Sequence, residues 1–250
     1  MKNGLLCPVR HIIHFTLSIL VTISIIIPTF NEADNIGPLV HDLRRCSCRS
    51  LVDLLVVDGG STDDTVERAR QAGARVVVSP QTGRANQMNY GAALTSGDVL
   101  YFVHADVQIH PDFVSDIRQA IAGGNDAGCY RFRFASPNLL LRLNNYGTRF
   151  PGIMSRGGDQ TLFITRGLFE RLGGFRERYI VMEDFDIIVR IRETGRFCII
   201  PKDVIVSARK YETNSWLRVQ VANLTAFSLF FMNATPTRIA RTYKRMLRSR

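Results

Sequence analysis

Short apolar runs alternate with amphipathic stretches through the first half of the chain. Residues 23–27, 54–57 and 101–103 are nearly continuous series of aliphatic and aromatic side chains. Runs of that length, ended sharply by polar residues, predict strands buried on both faces. Between them, apolar positions at helical spacing predict a helix over about 34–43. A second helix is expected over 66–70, behind the capping oxygens of Ser61 to Thr65. Strand and helix patterns in alternation predict an α/β fold with a mainly parallel central sheet flanked by helices. The second half is less regular. Residues 132–136, 161–165 and 204–206 read as short strands, and 168–173 and 183–193 as helices. Residues 216–232 read as an apolar helix.

The polar residues that end the strands are the chemically informative ones. The first run ends in Pro28-Thr29-Phe30-Asn31-Glu32, the second in Asp58-Gly59-Gly60-Ser61, and the third in His104-Ala105-Asp106. In an open α/β sheet, ligands bind at the carboxyl ends of the strands. Strand alternation would set His104 and Asp106 on one side, where both could reach one ligand. A carboxylate there suits a hard divalent cation, and equally an ordinary cap on the next helix. Gly59 and Gly60 allow close approach of a ligand to the backbone.

Six segments together resemble the family 2 glycosyltransferases. They are Ile23-Ser-Ile-Ile-Ile-Pro-Thr-Phe-Asn-Glu32, Val56-Val-Asp-Gly-Gly-Ser-Thr-Asp63, Gly83-Arg-Ala-Asn-Gln-Met-Asn89, His104-Ala-Asp106, Gly158-Asp-Gln160 and Met182-Glu-Asp184. More narrowly, the series is similar to a short glycosyltransferase-like group linked to arsenosugar biosynthesis. The resemblance implies a GT-A fold and sugar transfer from a nucleotide-diphosphate donor, with inversion and a divalent cation (Mg²⁺ or Mn²⁺). It implies donor contacts from Pro28, Asn31, Glu32, Asp58, Gly59, Ser61, Arg84, Asn89, His104 and Ala105. Asp106 would be the metal ligand, joined by His104 where the family has its first acid. Gly158, Asp159 and Gln160 would lie on the acceptor side. Asp184 is expected as the general base, with Glu183 as its neighbour and Asp186 as a weaker contender. Arg209 and Lys210 are candidates for the donor phosphates, or plain surface charges.

A chain of 250 residues, 46% hydrophobic, can build one sizeable core. The expected organisation is an extension over 1–22, a transferase domain over 23–212, and an apolar helix with a basic tail over 213–250. The stretch 12–27 imitates a signal peptide, yet its last residues match the first core strand, and no small-residue cleavage site precedes that strand. Residues 1–20 then read as a loose extension or an upstream start. Cys7, Cys46, Cys48, Cys129 and Cys198 are odd in number. Cys46 and Cys48 lack a matching second pair, so neither a zinc site nor a disulfide framework is expected. A reducing cytoplasm fits.

The net charge of +10 gathers at the C-terminus, where Arg238, Arg241, Lys244, Arg245, Arg248 and Arg250 follow the apolar helix without an acid. That sequence suits the inner face of an anionic membrane, and equally a packed helix with a solvated end. The acceptor is left open between a small molecule and a lipid. The tail lacks interleaved aromatics beyond Tyr243, so no nucleic acid is expected. Two alternatives remain at this level: a nucleotidyltransferase, and a membrane-surface binder of nucleotide sugars without turnover. The loop after the first strand has neither the glycines nor the early Arg or Lys that the former wants.

Overall fold

The computed structural model describes residues 21–46, 52–149, 152 and 161–248. Its elements follow in the order β1 (Ile23–Thr29), α1 (Ala33–Cys46), β2 (Val52–Asp58), α2 (Thr65–Gln71), β3 (Arg75–Val78), α3 (Arg84–Ala93), β4 (Val99–Phe102), β5 (Val107–Gln108) and α4 (Phe113–Ala122). The chain continues as β6 (Ala127–Phe134), α5 (Leu139–Gly147), β7 (Leu162–Thr165), α6 (Arg166–Arg171), α7 (Glu183–Thr194), β8 (Phe197–Val206), α8 (Arg209–Thr213), α9 (Trp216–Phe231) and α10 (Pro236–Met246).

The strands form one sheet in the order β3-β2-β1-β4-β7-β6-β8-β5. β1 pairs in parallel with both β2 and β4, and β2 with β3, so three of the sequence-predicted strand ends share one edge. β7 runs antiparallel to both β4 and β6, while β6 and β8 are parallel. The sheet is therefore mixed, with its parallel half as expected.

Alternation along β1 explains why all seven of its residues are buried. Ile23, Ile25 and Ile27 join a core with Ile36, Leu39 and Leu43 of α1. Ile26 faces the other way, into a core with Met88 of α3 and Ile187 and Ile191 of α7. A strand covered by helices on both faces reads as a continuous apolar run. Close helix packing also depends on Gly91. A Cβ there would stand 2.5 Å from Ile26 Cγ2 and 2.9 Å from Val57 Cγ2. The missing side chain lets α3 settle against β1 and β2.

The sequence reading differs from the structure at residues 104–106. The chain leaves the sheet there: Val103 N–H donates to Ile26 C=O, and Val107 N–H closes a turn onto His104 C=O. His104 and Asp106 converge through a turn rather than through strand alternation. The basic tail takes the packed-helix alternative. Ile239 and Ala240 are buried, and α10 packs on α9.

Candidate active site

The loops after β1 and β2 are stitched together by short polar side chains. Asn31, at φ 53°, donates its N–H to Ser61 Oγ, and its Oδ1 accepts from Thr62 N–H at 2.9 Å. Glu32 N–H donates to Thr65 Oγ1 at 2.8 Å. Asp58 is buried and accepts from Gly60 N–H, Ser61 N–H and Ser61 Oγ. Its carboxylate therefore shapes its own loop and keeps limited capacity for a ligand. Beneath this loop, Gln87 donates to the carbonyls of Thr29 and Val57 at 2.7 and 2.8 Å. A Cβ on Gly59 would meet Gln87 Nε2 at 3.1 Å. Gln87 lay inside a matched segment, but only the fold reveals that it props the strand ends.

These strand ends open into a first cavity of about 210 Å³, lined by Pro28, Thr29, Phe30, Glu32, Arg84, Gln87, His104, Ala105 and Asp106. Phe30 is exposed at its edge. Arg209 of α8, far along the chain, pairs with two of these lining carboxylates. Its Nη2 stands 2.8 Å from Glu32 Oε1 and 3.2 Å from Asp106 Oδ2. Two carboxylates gathered around one cation form a site of concentrated negative charge. Oxygen donors of that kind fit a hard divalent ion that also takes substrate phosphates and waters.

A second cavity of about 320 Å³ lies on the other side of Arg84, which lines both. Its walls combine aromatic rings (Phe132, Phe134, Phe185, Tyr211, Phe227) with the amides of Asn144, Gln220 and Asn223. Asp184 opens into it from the first turn of α7. Asp184 Oδ2 is also 4.0 Å from His104 Nε2, which links the lining of one cavity to that of the other. Met182, just before α7, holds φ 72°. A left-handed non-glycine residue costs on the order of 1–3 kcal/mol and often marks a functional turn.

Glu183 is almost wholly buried, with Arg84 Nη2 2.6 Å from its Oε1. The approach is off the direction of a hydrogen bond, and neither carboxylate oxygen accepts one among the described residues. Burial pushes the Glu183 carboxyl up to about 7; Arg84 opposes the rise and Asp184 adds to it. The adjacent acids thus have unlike settings: Glu183 is sealed against Arg84, and Asp184 faces a cavity. Asp186 is buried between Arg176 and Arg190, at 3.0 and 2.7 Å, and serves as an internal ion pair.

Several expected residues sit elsewhere. Asn89 lines neither cavity; its side chain holds the backbone N–H and C=O of Phe175, both at 2.9 Å. Lys210 points away from Arg209 into the second cavity, where it bonds Tyr243 Oη at 3.2 Å. Gly158, Asp159 and Gln160 lie outside the described residues. Between β5 and the first turns of α4, His110, Asp112 and Asp116 bring ligand atoms within 4.8 Å of one another. Lys202 already stands 2.9 and 2.7 Å from the two carboxylates, and none of the three lines either cavity.

Comparisons with known proteins agree with this layout. A mannosyltransferase from Pyrobaculum calidifontis, solved with GDP-Man and Mn²⁺, superposes with a TM-score of 0.64 at 17% identity, covering 86% of this chain and 71% of that one. Glucosyl-3-phosphoglycerate synthase from Mycobacterium tuberculosis, solved with Mn²⁺, UDP and glucosyl-3-phosphoglycerate, gives 0.64 at 19% identity over 90% and 85%. Both share the fold, a GT-A arrangement. In sequence, glucosyl-3-phosphoglycerate synthase of Mycolicibacterium smegmatis is 36% identical over 36% of this chain, a segment that spans 32% of that relative. An uncharacterized glycosyltransferase of Mycobacterium tuberculosis is 36% identical over 68% of each chain. These names carry no arsenosugar link, and they replace the nucleotidyltransferase reading. Residues 24–180 match the model of glycosyl transferase family 2. The chain belongs to that family and is a glycosyltransferase.

Proposed function

We propose that the chain moves a sugar from a nucleoside-diphosphate donor in the first cavity to a hydroxyl acceptor in the second, with inversion at the anomeric carbon. The observation that carries this reading is that Arg84 lines both cavities while Asp106 and Asp184 face one each. A two-substrate transfer needs two pockets with a shared wall.

Each task falls to a named group. Phe30 offers an exposed ring for the base, and the Asp58–Ser61 loop encloses the nucleoside end. Arg84 faces the sugar diphosphate and carries positive charge toward the leaving group. Arg209 moves from Asp106 to the phosphates when the donor enters. A divalent cation held at Asp106, beside Glu32 and His104, would neutralise the departing diphosphate. The relatives solved with Mn²⁺ and nucleotides support this choice of ion and donor class.

Asp184 takes the acceptor proton as general base, within reach of His104. Attack from the face opposite the leaving diphosphate inverts the centre. Glu183 keeps Arg84 in place and does not accept the proton. Residues 213–250 supply acceptor walls through Gln220, Asn223 and Phe227, so acceptor choice depends on the C-terminal helices. The family model ends at residue 180, before those walls.

The test is a screen of nucleotide sugars by thermal shift, with and without Mn²⁺ or Mg²⁺. A donor should raise Tm in a concentration-dependent way, and more so with metal. A panel of nucleotide sugars that leaves Tm unchanged would refute the donor site.

A further inference from the structure

One surface of α9 is apolar, exposed and continuous at helical spacing. Leu217, Val221, Leu224 and Phe231 fall on one side, and Met232 continues it past the last turn. The opposite side buries Val219, Ala222, Ala226 and Phe227, and Phe227 packs edge-on against Phe185 at 4.4 Å. The helix is thus anchored by one face and offers the other.

The polar groups of the outer side are satisfied within the helix. Thr225 Oγ1 donates to Val221 C=O at 2.8 Å, and Ser228 Oγ to Leu224 C=O at 2.9 Å. Hydroxyls that bond back four residues need no water. The helix has 16 residues, and no helix among the described residues is long and apolar enough to cross a membrane. A helix of this kind lies in an interface rather than through it.

Charge selects the occupant. From Ser215 to the C-terminus there is no acidic residue. The adjoining α10 exposes Arg238, Arg241, Lys244 and Arg245, and Arg248 follows it. A second copy of this chain would meet that basic surface with the same charge, whereas an anionic bilayer complements it.

We infer that α9 and α10 dock the enzyme on an anionic lipid surface, with the Leu217–Phe231 stripe in the headgroup boundary and the α10 cations against the lipid phosphates. Because the inner face of α9 walls the second cavity, an amphiphilic acceptor could present its hydroxyl to Asp184 while its tail stays in the bilayer. That second consequence rests on the transfer reading; vesicle binding without donor tests the docking alone.

The experiment uses the full chain and vesicles of phosphatidylcholine with or without phosphatidylglycerol. Trp216, the single tryptophan of the sequence, packs on the core and donates its indole N–H to Asn144, so docking is read by co-sedimentation. Wild type should co-sediment with anionic vesicles and release at high salt. A Leu217→Gln/Leu224→Gln/Phe231→Gln variant with unchanged Tm should bind at least about a hundredfold more weakly, since three exposed apolar anchors are lost. Arg241→Gln/Lys244→Gln/Arg245→Gln should weaken binding on the order of a hundredfold, at about fivefold per charge. Wild type left in the supernatant, or a stripe variant that binds as tightly as wild type, overturns the proposal. So does a dimer in ultracentrifugation that the stripe variant turns into monomer without any vesicle binding, since a second copy would then be the occupant.

Discussion

Arg209 Nη2 lies 3.2 Å from Asp106 Oδ2, so a side chain from α8 pairs with the carboxylate in the turn between β4 and β5. The same nitrogen is 2.8 Å from Glu32, which ties the loop after β1 to α8. A divalent ion held at Asp106 would compete with the Arg209 guanidinium for the same oxygens. Removing Arg209 should therefore separate metal binding from donor binding. Arg209→Ala is expected to bind Mn²⁺ alone more tightly by calorimetry, and nucleoside diphosphate with Mn²⁺ more weakly. Weaker Mn²⁺ binding in the variant would mean that Arg209 organises the carboxylates rather than guarding them.

Glu183 makes a pH-dependent contribution with a definite sign. Its carboxyl is raised from 4.5 to about 7, first by burial, so the folded state holds a proton that the unfolded state has released. Between those values folding binds protons, and stability falls as pH rises. Glu183→Gln removes that proton uptake. The Tm of wild type should fall relative to the variant as pH rises from about 4.5 to about 7, and the gap should stay constant above. Parallel curves across the window would show that Arg84 fully compensates the buried charge.

Asp58 makes a prediction about loop shape. Three hydrogen bonds from its own loop end on it. A net hydrogen bond contributes ~0.5–1.5 kcal/mol, so Asp58→Ala should cost about 2–4 kcal/mol. Nucleotide affinity should fall with it, because the enclosing loop loses its frame. A variant with normal stability by denaturant titration and normal nucleotide affinity would contradict both roles.

Gly91 is a packing prediction free of chemistry. Its missing side chain keeps α3, and hence Arg84 and Gln87, against β1 and β2. Gly91→Val forces atoms into Ile26 and Val57 and should destabilise by about 1–3 kcal/mol or more. Equal or higher stability would show that α3 can lift away without loss.

The sequence exposed the parallel half of the fold well, because strands buried on both faces are continuous apolar runs and their polar ends stand out. Glu32, Asp58, His104 and Asp106 were found by that contrast. The second cavity was far less visible. Phe132, Asn144, Tyr211 and Phe227 come from separate elements, and nothing in their spacing unites them. Arg209 and Lys210 are neighbours in sequence, yet successive residues on a helix diverge by about 100°. One pairs with the carboxylates that line the first cavity and the other lines the second. Asn89 lay in a matching segment, but its amide serves the Phe175 backbone. A motif locates a residue along the chain and leaves its side-chain direction open.

Asp184, facing the second cavity, is the proposed general base. Asp184→Asn keeps the size and most of the hydrogen bonding but cannot take a proton at neutral pH. The decisive measurement is donor affinity and transfer rate on one preparation of the variant, with a hydroxyl acceptor that supports release of free nucleoside diphosphate. Donor affinity should be nearly unchanged, because the proposed phosphate site is at Arg84, Arg209 and Asp106. Transfer should fall on the order of 10²–10⁴-fold, the usual loss for a general base. Near-normal transfer in Asp184→Asn, with donor still bound, would contradict the account.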